Sequence, residues 1–292
     1  MYCGADLPVS QIETAPAQRI LEPHERAFNT ILDPQGCYLN GQAKDALAAA
    51  LGIEISDAVE YISSGKRMPV ARCQTRHEAE LIAELVRRCG FRSGVVADDD
   101  LMLHQGLVRA RRVVCVDEMV CVAHMNGTLV LPASEITLLV VGFLRSGRVD
   151  YSEAPRRGKS QDKTDIRDSF EFQSERALLD VYSTSLEQSF RIAADSFDYS
   201  GLVQPLSYRA EMNFQSTINA LRRAAPGAAV DHDFQRLREL LSRVWPERSH
   251  TESRGIKRTG IALRPVAQAS VVSDNRDQFE RYSRLMFLSS LD

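Results

Sequence analysis

The chain has 292 residues, enough for about two domains, of which 44% are apolar and 26% charged. That balance excludes wholesale disorder, and a formal charge of -3 leaves no net positive field to draw the whole chain onto nucleic acid or anionic lipid. Nucleic acid is therefore not an expected partner. The longest apolar run, Ile136 to Leu144, is interrupted by Thr137 and Gly142 and falls far short of the ~20 residues a membrane span needs. Met1 to Ser10 lacks the basic region and apolar core of an export signal, so the expected location is cytoplasmic. Six cysteines (Cys3, Cys37, Cys73, Cys89, Cys115 and Cys121) form no CxxC pair and read as reduced, packing thiols.

Residues 1–35 carry Pro8, Pro16, Pro23 and Pro34 with little periodicity and read as a loose leader with one helical turn near Pro23–Thr30. The opening, Tyr2-Cys3-Gly4-Ala5-Asp6-Leu7-Pro8, resembles the second half of a bacterial zinc-ribbon knuckle. Tetrahedral zinc takes two thiolates from each of two tight turns, whereas Cys3 stands alone; no metal site and no cofactor are expected. The pattern sharpens over residues 36–100. Ala43, Ala46, Leu47, Ala50 and Leu51 recur at helical spacing and stop at Gly52. Ser56 starts a short helix with Val59 and Ile62, and Met68 to Cys73 alternates as a strand. Thr75 with Glu78 is a capping box; Ala79, Ile82, Ala83, Val86 and Cys89 make one stripe before Gly90, and Ser93 to Ala97 returns as a strand. A strand, helix and strand joined this tightly predict a right-handed parallel crossover.

The run Leu51-Gly52, Ser56-Asp57-Ala58-Val59, Gly65, Pro69-Val70-Ala71, Thr75-Arg76-His77-Glu78-Ala79-Glu80 and Gly90 resembles the C-terminal domain of the bacterial ribosomal stalk protein. Its second half, Pro69 to Asp98, equally resembles the small prokaryotic signal-transducing domain, which is ferredoxin-like. Both resemblances imply a binding module without catalytic chemistry. The stalk domain's factor-binding surface is lysine-rich, whereas the helix here offers Arg76, Glu78, Glu80, Glu84, Arg87 and Arg88.

Residues 101–227 are rich in strands: Arg112 to Val116, Met119 to Met125, Gly127 to Leu131 and Ile136 to Tyr151, joined by Asp117-Glu118, Asn126-Gly127 and Pro132 to Glu135. The polar stretch 155–169 reads as a flexible insertion, strands resume at Ala177 to Ser183 and Ser189 to Asp198, and a closing helix runs from Ser207 to Arg223. Consecutive antiparallel strands closed by one helix resemble a bacterial PH-like domain. In residues 228–292 a helix from Asp233 to Trp245 precedes a basic linker, Arg254 to Arg264, and a last helix from Asn275 to Leu291. The fold expected is α+β: a small ferredoxin-like or stalk-like module, then a PH-like antiparallel β-barrel with C-terminal helices.

No Gly-x-Ser-x-Gly elbow, Walker loop or dinucleotide fingerprint occurs, and the six histidines never fall at a ligand spacing. Asp98-Asp99-Asp100 reads as a solvated turn, since it lacks the glycine and distal glutamate of a calcium loop. Arg72 and Arg76, with His77, flank a strand-to-helix turn and are the candidate ligand-binding residues, because a helix N-terminus beside guanidinium groups attracts anions. Arg156, Arg157, Lys159, Lys257 and Arg258 are the candidates for a phosphate headgroup. Phe279, Tyr282, Leu285 and Met286, at helical spacing, are candidates for docking a protein partner. The function expected is that of a non-catalytic regulatory or adaptor protein that binds a protein partner or a small ligand. Peripheral membrane or headgroup binding through the PH-like domain, and an enzyme of unrecognised type, stand as alternatives.

Overall fold

The computed structural model describes residues 21, 25–35, 41–155, 164–202, 206–259 and 264–291. In chain order the first elements are β1 (Phe28–Asp33), α1 (Gly41–Leu51), α2 (Ile55–Ser63), β2 (Met68–Cys73), α3 (Arg76–Arg88) and β3 (Arg92–Ala97). There follow β4 (Val108–Val116), β5 (Met119–His124), β6 (Gly127–Pro132), β7 (Ile136–Pro155), β8 (Thr164–Ser183), β9 (Phe190–Ala193) and α4 (Ala210–Ala224). The last are β10 (Ala229–Asp231), α5 (Phe234–Val244), β11 (Arg248–Thr259), β12 (Arg264–Asp274) and α6 (Arg276–Leu291). The chain is mixed α+β and divides into two units, residues 1–102 with 239–245, and residues 103–238 with 246–292. No helix among the described residues is long and apolar enough to cross a membrane.

The first unit is a three-stranded sheet in the order β2-β1-β3. β2 and β3 each run antiparallel to β1, so they are parallel to one another and α3 is the crossover between them, as the strand-helix-strand spacing predicts. The strand between them comes from what the sequence presents as leader. Phe28–Asp33 is bounded by prolines and carries Asn29, Thr30 and Asp33, yet it is the central, buried strand. Its polar side chains are satisfied internally: Thr30 Oγ1 donates to the Ala79 carbonyl at 2.9 Å. The capping box of α3 forms as expected, with Glu78 N–H donating to Thr75 Oγ1 at 3.2 Å and Thr75 N–H to Glu78 Oε2 at 3.1 Å. Ala71, Cys73, Ala79 and Ile82 centre the small core. Residues from much later in the chain complete it: Trp245 Nε1 donates to Asn29 Oδ1, and Arg243 Nη2 to Asp57 Oδ1, both at 2.8 Å.

The second unit is built on a nine-stranded sheet in the order β11-β12-β7-β8-β9-β4-β5-β6, with β10 lying parallel beside the start of β7. The path is not closed, and β11 and β6 are its ends. β4, β5 and β6 form a meander whose turns fall where the sequence places them, with Asp117 (φ 46) and Glu118 (φ 64) in the left-handed region at the first. Inward residues of β4 to β9 (Val113, Val120, Leu139, Leu179, Ile192) pack with Phe214, Ile218 and Leu221 of α4. The described part of the expected basic linker, residues 254–259 and Arg264, is in fact strand: β11 and β12 pair antiparallel, and β12 continues onto the polar half of β7. The expected insertion at 155–169 likewise holds part of β7 and β8, which pair out to Pro155 opposite Thr164.

The helix α6 corrects another expectation. Phe279, Tyr282, Leu285 and Met286 are buried and offer no partner-docking surface. Phe279 lies edge-on to Phe234 with ring centroids 5.0 Å apart, and Phe287 stacks on Tyr182 at 4.6 Å. Gly142 of β7 makes this approach possible, because a Cβ there would overlap the Phe279 ring. Gln278, Arg281, Ser283 and Arg284 are buried on the same helix, so the stripe legible in the sequence is only part of its buried surface.

Candidate functional site

The strands that build the second core do not cover all of it. β9 ends where Ala193 pairs with Leu178, and the chain then leaves the sheet through a 3-10 turn at Ala194–Ser196. Beyond that point no strand among the described residues lies beside the outer edge of β8. On the neighbouring β7, Val141 and Phe143 share a face by the two-residue period, opposite Leu179 and Ala177. α4 crosses this region with Ala210, Phe214 and Ile218 at four-residue spacing along one side. Phe214 and Ile218 reach the core; Phe143, Ala177 and Ala194 are left half-buried.

The result is a cleft of about 510 Å³. Its floor is Val141, Phe143, Ala177, Ala194, Phe214 and Ile218. Its rim carries Glu175, Arg176, Asp195, Glu211, Gln215 and His232. Arg176 Nε and Asp195 Oδ2 form an ion pair at 2.8 Å at the mouth. Among the described residues the side chains of Glu175 and Glu211 make no ion pair or hydrogen bond, so the rim carries an excess of negative charge. The volume lies in the range of small-ligand pockets, and an apolar floor with a few polar groups at its edge is their usual chemistry. The floor removes apolar surface from water; the rim orients what binds. A second cavity of about 50 Å³, lined by Cys115, Thr217 and Leu221, has room for little more than water. Burial pushes the Cys115 thiol up, Cys121 adds to the shift and Arg223 opposes it, so that thiol stays protonated.

The candidate residues from the sequence fall elsewhere. Arg72 is interior: its Nη2 donates to Asp98 Oδ2 at 2.7 Å, and Asn29 Nδ2 donates to Asp98 Oδ1 at 2.8 Å. Arg72 is therefore part of a buried chain, Arg72–Asp98–Asn29–Trp245. Arg76 is exposed over the Phe28 ring at 5.3 Å, and His77 is exposed beside it. The structure thus separates the pair that the sequence puts together, because Arg72 lies on β2 and is buried, whereas Arg76 opens α3 on its exposed side. Asp98 belongs to that interior chain, Asp100 accepts from the Ala97 N–H at 3.0 Å, and Asp99 is exposed near Arg26. Among the described residues no group of three His, Cys, Asp or Glu is placed to hold a metal. Cys3, Cys37, Arg156, Arg157 and Lys159 lie outside the described residues, and Lys257 and Arg258 are described only as backbone of β11. Cys73, Cys89, Cys115 and Cys121 carry reduced thiols.

A second polar constellation escaped the sequence altogether. Asp180, fully buried on β8, accepts from Arg191 Nε at 2.6 Å, from Arg191 Nη2 at 2.9 Å and from Ser283 Oγ at 2.6 Å. Arg191 also reaches Glu280 at 2.8 Å and lies over the Phe279 ring at 5.5 Å. Burial works against its charge, but Asp180 and Glu280 more than offset this and hold the guanidinium above its ordinary pKa. Nearby, Tyr282 donates to Asp231 Oδ1 at 2.8 Å; burial and that carboxylate raise the phenol well above its ordinary value. These groups are buried or half-buried and engaged in hydrogen bonds within two sets, and the contacts of Ser283, Glu280 and Tyr282 hold α6. The cleft is the open site. Comparison with known protein families, with curated proteins and with solved structures found no match to this chain.

Proposed function

We propose that the chain is a non-catalytic regulatory or adaptor protein whose second unit binds the apolar part of a ligand or partner in the cleft beneath α4. The observation that carries this is the cleft itself: half-buried Phe143, Ala177 and Ala194 extend the core outward to a rim with unpartnered carboxylates. Apolar surface left open at this scale is what binding sites retain. On this proposal the first unit is a ferredoxin-like or stalk-like module and the second a PH-like one, both architectures used to bind rather than to catalyse.

The test is to fill the cleft. N-phenyl-1-naphthylamine, a neutral apolar dye that brightens when it leaves water, should bind the full chain. The substitution Ala194→Trp puts an indole in the space and should weaken dye binding at least tenfold, with circular dichroism and thermal midpoint preserved. Equal binding by the filled variant would show that the dye, and the proposed site, lie elsewhere.

A further inference from the structure

We infer that the cleft is one half of a docking site for an extended peptide segment of basic-apolar composition, which adds as a strand to the free outer edge of β8. This inference rests on the proposed binding role of the cleft and names the partner that fits it. Its starting point is the sheet topology. β8 is flanked by β7 along its whole length, but β9 accompanies it only from Leu178 to Val181. From Glu171 to Ala177 no strand among the described residues lies on the other side, so alternate residues there have backbone N–H and C=O groups with no strand partner among those residues. Proteins either cover such an edge or use it, and pairing an extended peptide onto it is a recurrent mode of recognition.

Two further observations favour use. The free edge runs into the cleft, since Glu175, Arg176 and Ala177 are both its last residues and part of the cleft wall. A strand added there can pair by backbone and also drop an apolar side chain onto Phe143 and Ala177. Backbone pairing supplies affinity, and pockets for alternate side chains supply selectivity. A guarded edge needs only charge, not an adjoining apolar cleft. The charge itself has a sign: Glu171 and Glu175 share a face of β8 with Ala177 by the two-residue period, and Asp195 and Glu211 stand across the cleft, against Arg176 in the cleft wall and Arg145 on β7. Arg145, opposite Glu175 in the ladder, makes no ion pair with it among the described residues. The partner that complements this surface is an extended segment with an apolar residue at one end of the contact and lysine or arginine at every second position after it.

The probe is an N-acetylated peptide of sequence Phe-Thr-Lys-Thr-Lys-Thr-Lys with a dye at its carboxyl end, titrated with the full chain and followed by fluorescence anisotropy. It should bind at low salt. Replacement of its lysines by glutamate, or N-methylation of alternate backbone amides, should each weaken binding at least tenfold. The exposed substitutions Glu175→Lys and Glu211→Lys together should reverse the preference in favour of the glutamate peptide. If the N-methylated peptide binds within threefold of its parent, strand addition is overturned while the cleft stands. Failure of every peptide to bind, with the neutral dye still bound, would overturn the peptide partner and leave a small-ligand cleft. Absence of both dye and peptide binding would overturn this inference and the proposed function together.

Discussion

Replacing Arg191 by methionine removes the ion pair between β9 and the buried Asp180 of β8, together with the contacts of Arg191 with Glu280 and Phe279 of α6. Methionine keeps most of the stem packing but removes two of the three hydrogen bonds that reach the fully buried Asp180 carboxylate, leaving only the one from Ser283. Removing one partner of a buried ion pair costs about 3–5 kcal/mol, because the other charge is left desolvated. The half-exposed pair with Glu280 adds roughly 0.2–1 kcal/mol, and the guanidinium over the Phe279 ring contributes about 0.5–1 kcal/mol. The expected loss is on the order of 5 kcal/mol. With a urea m-value of about 2 kcal/mol per molar, this lowers the midpoint of far-UV circular dichroism by roughly 2.5 M. The double substitution Arg191→Met with Asp180→Leu removes both charges and should recover most of the loss, since an apolar pair of similar volume is tolerated where a lone charge is not. A midpoint shift for Arg191→Met below about 0.5 M, or a double variant no better than the single one, would refute this account of the pair.

Three smaller perturbations follow from the same structure. Trp245→Phe keeps the ring but leaves Asn29 Oδ1 without its indole donor in a fully buried position, at a cost of about 1–3 kcal/mol by urea denaturation. Gly142→Ala forces a methyl group into the Phe279 ring and should lower the thermal midpoint by several degrees, whereas Gly41→Ala, with nothing within 4 Å of its Cβ, should leave it unchanged. Burial, with Glu78 nearby, pushes the Cys73 thiol up to about 11. The fold therefore favours the protonated form. Its contribution to stability is complete below the thiol's ordinary pKa and is lost as pH rises from there through about 11. Cys73→Ala should flatten that alkaline decline in denaturation profiles measured between about pH 8 and about pH 10.5.

Where local chemistry decides structure, the sequence is informative. Thr75 and Glu78 mark the start of α3 because both halves of the capping box lie within one turn, and Asp117-Glu118 marks a hairpin because those residues accept the left-handed conformation. Where a segment's partners are distant, it is not. β1 carries Asn29 and Thr30, which read as loop residues until Asp98, Trp245 and the Ala79 carbonyl satisfy them. β11 and β12 lack a clean apolar alternation, so Arg254 to Arg264 reads as linker although β11 and β12 pair from Arg248 opposite Asp274 to Thr259 opposite Arg264, with one register break at Ser253/Gly255. The burial of Arg281 and Arg284 on α6 runs against the general exposure of arginine, which is why only the apolar stripe was visible. The cleft is illegible for a related reason. It exists because β9 stops at Ala193 and α4 passes over the gap, and no single segment carries both facts.

The most direct test of the binding account is hydrogen–deuterium exchange of the full chain with and without the basic peptide. The account predicts slowed exchange over Glu171–Ala177 of β8 and over the first two turns of α4, with the rest of the chain unchanged. Protection confined to other segments, or none at a peptide concentration that saturates the anisotropy signal, would contradict it.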